Sequence, residues 1–253
     1  MRIPQILPVR RRAISFAEAT HRFRFERNSE TGKFAVYKED EVLSENSDLK
    51  ASMDLLASKI RLTVAEFAKR VIFLHAGVVG FNNRAVIIPG KSFAGKTTLV
   101  AEFAKKGCEY FSDEYALIDR RGMAHPFPKT LSLRGIVDDY TQVDFEVEKL
   151  GGRRAVKPSP VGCILVAEYR KKSKSRLSEA SPGAGLMASI ANSISIRQNP
   201  KFVIEVLNRA VRQSVVLKAE RGEASDFVEK FFEYFNSGAK IDEVWCSGKY
   251  GGL

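Results

Sequence analysis

Gly90-Lys91-Ser92-Phe93-Ala94-Gly95-Lys96-Thr97 sets two glycines five residues apart and follows them at once with a lysine and a threonine. That spacing suits a loop whose backbone N–H groups turn inward around phosphate oxygens at the positive end of a helix. In such a loop Lys96 bridges the β- and γ-phosphates and the Thr97 hydroxyl ligates Mg²⁺. The expected nucleotide contacts are Gly90, Lys91, Ser92, Phe93, Ala94, Gly95, Lys96, Thr97 and Thr98, with Phe93 and Ala94 filling variable, packing positions. Lys96 is expected to face solvent as a point charge committed to phosphate. From average composition the pattern arises by chance roughly once in a hundred chains of this length, so its flanks must carry the reading.

The flanks agree. Ala85-Val86-Ile87-Ile88 reads as a buried strand running into Pro89-Gly90. After the loop, Leu99, Val100 and Phe103 form one apolar helical face, and Lys105-Lys106-Gly107 supplies cations and a left-handed cap where that helix ends. Strand, loop and helix follow in the order phosphate binding requires.

Three acidic candidates lie downstream: the pair Asp113-Glu114, Asp119 and Glu168. Asp119-Arg120-Arg121-Gly122 fits Asp-x-x-Gly, but Asn-Lys-x-Asp is absent and Arg120-Arg121-Gly122 reads as a hairpin turn. Guanine-specific binding is therefore disfavoured. His75 alone reads first as a packed, hydrogen-bonded histidine.

Around this centre the chain falls into three zones. Residues 1–64 form a front section: a hairpin from His21-Arg22-Phe23-Arg24-Phe25 to Phe34-Ala35-Val36-Tyr37, then a helix from about Asp48. Thr63-Val64-Ala65-Glu66 has capping-box spacing and is expected to start a further helical turn. Residues 65–240 form the main domain: the motifs lie on short strand-rich segments up to about residue 170, followed by helices around Leu186 to Ile190, Phe202 to Val211 and Phe227 to Phe232, with a strand at Ser214 to Leu217. Residues 241–253 read as a polar tail. The expected class is α/β: a mixed sheet carrying the loop at a strand end, flanked by helices, with a small N-terminal appendage.

Composition narrows the setting. The chain is 253 residues long and 44% hydrophobic, enough for a real core. No apolar run approaches a membrane span. Cys108, Cys163 and Cys246 form no Cys-x-x-Cys pair and His21, His75 and His125 are dispersed, which disfavours disulfide frameworks and zinc sites and fits a cytoplasmic protein. The net charge of +11 gathers in Arg10-Arg11-Arg12, Arg153-Arg154-Ala155-Val156-Lys157 and Arg170 to Arg176. These runs lack interleaved aromatics, which disfavours nucleic acid and leaves exposed loops open to an acidic partner.

Leu74 to Gly135 resembles the catalytic domain of the HPr kinase/phosphorylase family. The resemblance rests on Leu74-His75-Ala76-Gly77, Gly90 to Thr97, Lys106 to Glu114, and Pro126-Phe127-Pro128-Lys129-Thr130-Leu131-Ser132-Leu133-Arg134-Gly135. It implies that Asp113 accepts the proton of a seryl hydroxyl, that Glu114 lies near the metal, and that His75 lies near the phosphates. Arg134 matches the arginine of the family's Leu-Glu-Ile-Arg-Gly signature, whereas Ser132 stands where that signature has a metal-binding glutamate. Residues 1–64 match no regulatory domain of true HPr kinases. Relatives with the shorter pattern include kinases of serine in peptide natural products.

The leading expectation is an ATP- and Mg²⁺-dependent kinase that phosphorylates a hydroxyl, serine of a protein or peptide first. A nucleotide-binding regulator with little turnover and a small-molecule kinase stay open beside it. The resemblance also allows a homo-oligomer.

Overall fold

The computed structural model describes residues 18–91, 94–127, 129–133 and 143–237. The chain divides into two compact units, Met1–Phe67 and Ala68–Leu253. The expected tail at 241–253 lies outside the described residues.

The first unit is a three-stranded antiparallel sheet and one helix. Strands β1 (Phe23–Arg27) and β2 (Phe34–Lys38) form the expected hairpin, and β3 (Glu41–Asn46) extends it. Asn28 shapes the first turn by accepting from Glu30 N and Thr31 N at 2.8 and 3.0 Å, and Gly32 adopts φ +69°. Helix α1 (Leu49–Phe67) starts where Asp48 accepts from Lys50 N at 2.7 Å. It runs through Thr63 without a break, because Thr63 is buried in line with Ser52 and Leu56 on one face of the helix. Burial there overrides the local capping signal.

The second unit is a mixed α/β fold with helices on both faces of a sheet of parallel and antiparallel strands. Strand β4 (Val71–Phe81) leads by a hairpin into β5 (Arg84–Pro89), helix α2 (Lys96–Lys105), β6 (Glu109–Ser112), β7 (Tyr115–Asp119) and β8 (Met123–His125). Short strands β9 (Leu131–Leu133), β10 (Val143–Phe145) and β11 (Arg153–Arg154) precede the long β12 (Ser159–Tyr169). Then come β13 (Arg176–Glu179), α3 (Pro182–Ala191), α4 (Pro200–Arg212), β14 (Val215–Arg221) and α5 (Ala224–Asn236). No helix among the described residues is long and apolar enough to cross a membrane.

Alternation along β5 explains the layering. Ala85 and Ile87 join the core shared with Val203, Val206 and Leu207 of α4, while Val86 and Ile88 join the core shared with Leu99 and Phe103 of α2 and Phe227 of α5. A strand buried on both faces reads as a continuous apolar run, as this one does. Strands β5, β12 and β14 are parallel neighbours, so Pro89, Tyr169 and Arg221 end at one edge of the sheet. Strand β4 runs against β5, and its first half pairs instead with β7. The Asp119 to Gly122 segment is the hairpin turn between β7 and β8, with Gly122 at φ +75°.

Candidate functional site

Between β5 and α2 the chain wraps tightly. The Gly90 N–H donates to the His75 carbonyl at 3.2 Å, and a Cβ on Gly90 would sit 3.4 Å from Cβ of Ala94 and 3.5 Å from Cδ of Lys96. Gly95 caps α2 in the left-handed region at φ +73° and brings no side chain to the first helical N–H groups. Such an end is open to an anion. Ser92 and Phe93 lie outside the described residues.

Lys96 departs from expectation: only 7% of it is exposed. Gly77 of β4 is the cause, since any Cβ there would meet Val100 at 2.7 Å; the bare glycine lets α2 lie against the strand and covers the lysine stem. The Lys96 ammonium donates to the Lys91 carbonyl at 2.8 Å. Burial pushes its pKa down to about 8, against the opposing pull of Asp113. A buried cation held by a carbonyl is under-compensated, and a bound anion would stabilise it.

The acidic pair sits on a turn built by Ser112, whose hydroxyl accepts from Glu114 N at 3.1 Å and Tyr115 N at 3.0 Å. Asp113 is 6% exposed, and both its oxygens accept hydrogen bonds. Oδ2 accepts from the Thr97 hydroxyl at 3.2 Å and from Ser132 N at 3.3 Å; Oδ1 accepts from the Tyr110 hydroxyl at 3.0 Å. Burial first, then the Asp113 charge, pushes the Tyr110 phenol far above its ordinary range, so it stays a donor. The Glu114 carboxylate pairs with Lys129 at 3.2 Å.

Lys129 also donates to the Ser132 hydroxyl at 2.9 Å, and that hydroxyl donates to Oδ1 of Asp144 at 2.7 Å. Pairing of β9 with β10 sets this contact, with Asp144 opposite Ser132 in register. Where the resemblance expects a glutamate, the chain therefore holds a serine that presents an aspartate from the next strand. His75 is partly buried, and its pKa is lowered chiefly by burial and then by Lys96, with Glu114 opposing. Burial thus favours its neutral ring, which can both donate and accept a hydrogen bond.

The structure thus brings Lys96, Thr97 and Asp113 together, with His75 and Glu114 within electrostatic reach. Thr98 is exposed on the first turn of α2. Arg134 lies outside the described residues. Among the described residues no group of three or more His, Cys, Asp or Glu side chains could hold a metal ion. The groups that fit a cation sharing its ligands with phosphate and water are the Thr97 hydroxyl and the Asp113 carboxylate, because Mg²⁺ commonly takes one or two carboxylates.

Sequence reasoning missed Tyr110, Asp144 and Arg221. Arg221 is 3% exposed and donates through Nη2 to the Gly95 carbonyl at 3.0 Å and the Ala94 carbonyl at 3.4 Å. Its guanidinium lies 5.2 Å from the centre of the Tyr169 ring. Nothing local in Glu220-Arg221-Gly222 signals this role; only pairing of β14 beside β12 does. Compared with known proteins, the chain matches no family model and no curated protein sequence.

Proposed function

We propose that the chain is an ATP-dependent phosphotransferase that moves the γ-phosphoryl group to a hydroxyl, serine of a protein or peptide first, in the cytoplasm. The observation that carries the reading is the hydrogen bond from Thr97 to Asp113, which ties the loop's hydroxyl to a buried carboxylate. A loop Ser/Thr and a nearby Asp are the pair that holds Mg²⁺ on nucleotide phosphates in phosphate-loop enzymes. Hydroxyl, carboxylate and buried ammonium are the donor set such a site needs.

In this reading Gly90 and Gly95 keep the backbone close to the phosphates, and Lys96 supplies the fixed positive charge. Thr97 and Asp113 would hold the cation, which when bound would supply charge neutralisation to the phosphates. Asp113 orients Thr97 in the resting site, and it is the group placed to take the acceptor's proton. His75, neutral, donates or accepts a hydrogen bond beside Lys96. Lys129 and Asp144 hold Glu114 and Ser132 in place around the acidic turn.

A nucleotide-binding regulator with little turnover is the second reading. It is favoured by one observation: three donors already occupy the two oxygens of Asp113, as in a fixed acceptor. The test is single-turnover transfer from γ-labelled ATP to candidate serine peptides, beside direct nucleotide binding. Binding with transfer supports the kinase. Binding with no transfer to any acceptor, and no hydrolysis, supports the regulator.

A further inference from the structure

We infer that Tyr169, backed by Arg221, is the platform on which the base of the bound nucleotide stacks; this rests on the phosphate-loop reading above. The two flanks of β5 differ in chemistry. On the β4 and β6 flank, and on β9 beyond it, stand the groups suited to a cation and a transferring phosphoryl group: Asp113, Glu114, Lys129 and Ser132. On the other flank β12 and β14 run parallel to β5 and end at the same edge. In open α/β sheets, ligands lie across the carboxyl ends of the strands. A nucleoside triphosphate places its γ-phosphate and its base at opposite ends. With the γ end toward the acids, the base lies toward β12 and β14.

Tyr169 stands there. It is the last residue of β12 and the direct cross-strand partner of Arg221, and it is 46% exposed where most large apolar side chains of this unit are buried. The Arg221 guanidinium sits 5.2 Å from its ring centre while donating to the Gly95 carbonyl at 3.0 Å. Ring, guanidinium and glycine-rich loop therefore form one continuous stack, with the ring outermost. A cation beneath an aromatic ring fixes the ring.

The chain beyond Tyr169 is tied as well. Arg170 N donates to the Arg221 carbonyl at 2.8 Å, the Ser173 hydroxyl donates to Glu220 at 2.6 Å, and Gly222 passes so close to the Ser173 carbonyl that a Cβ would fall 2.2 Å from it. Tyr169 is thus an exposed aromatic side chain on an anchored backbone, adjacent to a phosphate site. A single ring offers stacking without edge-specific hydrogen bonds, so the site takes a nucleotide base by its π-face and separates adenine from guanine weakly.

The test compares MgATP with magnesium tripolyphosphate, which has the phosphates and no base, by calorimetric titration of the full chain. The wild type binds ATP more tightly than tripolyphosphate. Tyr169→Ala lowers that preference by roughly 5- to 150-fold, the range of one base–aromatic stack. Tyr169→Trp keeps it, and ATP quenches the new indole's fluorescence. Preference unchanged in Tyr169→Ala, or equal losses for both ligands, overturns the platform while leaving the phosphate loop standing. A wild type that binds neither ligand overturns both.

Discussion

The Thr97 hydroxyl donates to Oδ2 of Asp113 across 3.2 Å, joining the first turn of α2 to the acidic turn after β6. One carboxylate thereby reads the position of the loop, and its replacement separates two roles.

Asp113→Asn keeps an oxygen for Thr97 and Ser132, while the Tyr110 hydroxyl reverses to accept from the new amide. The fold survives with a loss of about 1 kcal/mol. Nucleotide binding also survives, and transfer falls by about two to four orders of magnitude if Asp113 accepts the acceptor's proton. Single-turnover rates at saturating MgATP measure this. Recovery of the rate in excess Mg²⁺ would assign Asp113 to the cation alone.

Lys96→Met abolishes nucleotide affinity and stabilises the fold at neutral pH. The Lys96 pKa falls from 10.5 to about 8 through burial. The unfolded chain therefore binds more protons than the folded one between those values, and wild-type stability rises as pH climbs from about 8 to 10.5. Below pH 8 the charged side chain costs the full amount, on the order of 3 kcal/mol. The advantage of Lys96→Met should thus be largest at pH 7 and shrink toward pH 10.5, read by thermal unfolding across that range. A constant advantage would show that Lys96 does not titrate as a buried cation.

Ser132→Glu, which puts a glutamate on strand β9 beside Asp144, should destabilise the protein. Ser132 is 4% exposed, its hydroxyl donates to Asp144 and its N–H donates to Asp113. A buried glutamate would face the Asp144 carboxylate and lose the hydroxyl donor, with Lys129 offsetting only part of the repulsion, at roughly 2–4 kcal/mol. Adding Asp144→Asn should recover part of the loss, and the double-mutant cycle in denaturant measures the coupling. Additive losses would mean that Asp144 does not sense position 132.

Gly95→Ala and Gly107→Ala share a backbone problem and differ in their surroundings. Both glycines have positive φ, at +73° and +91°. Nothing lies within 4 Å of a Cβ on Gly107, whereas one on Gly95 would meet Arg221 Nη2 at 2.3 Å. Gly107→Ala should cost about 1–2 kcal/mol with nucleotide affinity intact. Gly95→Ala should displace Arg221 as well and lower nucleotide affinity. Equal effects of the two changes on binding would detach Arg221 from the loop.

Local pattern carried most of the second unit. The apolar run at Ala85 to Ile88, the face of Leu99, Val100 and Phe103, and the glycine ending α2 all express nearest-neighbour physics. Strand β3 was illegible because Glu41-Val42-Leu43-Ser44-Glu45-Asn46 places its side chains without strict alternation. The burial of Lys96 was illegible because it comes from Gly77, a residue on another strand. The basic run after Arg170 is exposed as expected, yet its anchorage to Glu220 and Arg221 needs a strand some fifty positions later; Ser173 and Glu220 are 47 residues apart. Long-range pairing has no local signature, and Asp144 and Arg221 enter the site by that route alone.

The clamp from Arg221 to Gly95 spans 126 residues of sequence. During synthesis the glycine-rich loop, α2 and the acidic turn all emerge well before β14, so a growing chain carries the whole motif without its clamp. Contacts of such separation form late in folding, after the loop-closure entropy of the intervening chain has been offset by the central strands. The hydrogen bond from Arg221 to the Gly95 carbonyl therefore waits until β14 slots in beside β12. A chain ending before Val215 would display an intact motif and still fail to hold the loop in its finished shape.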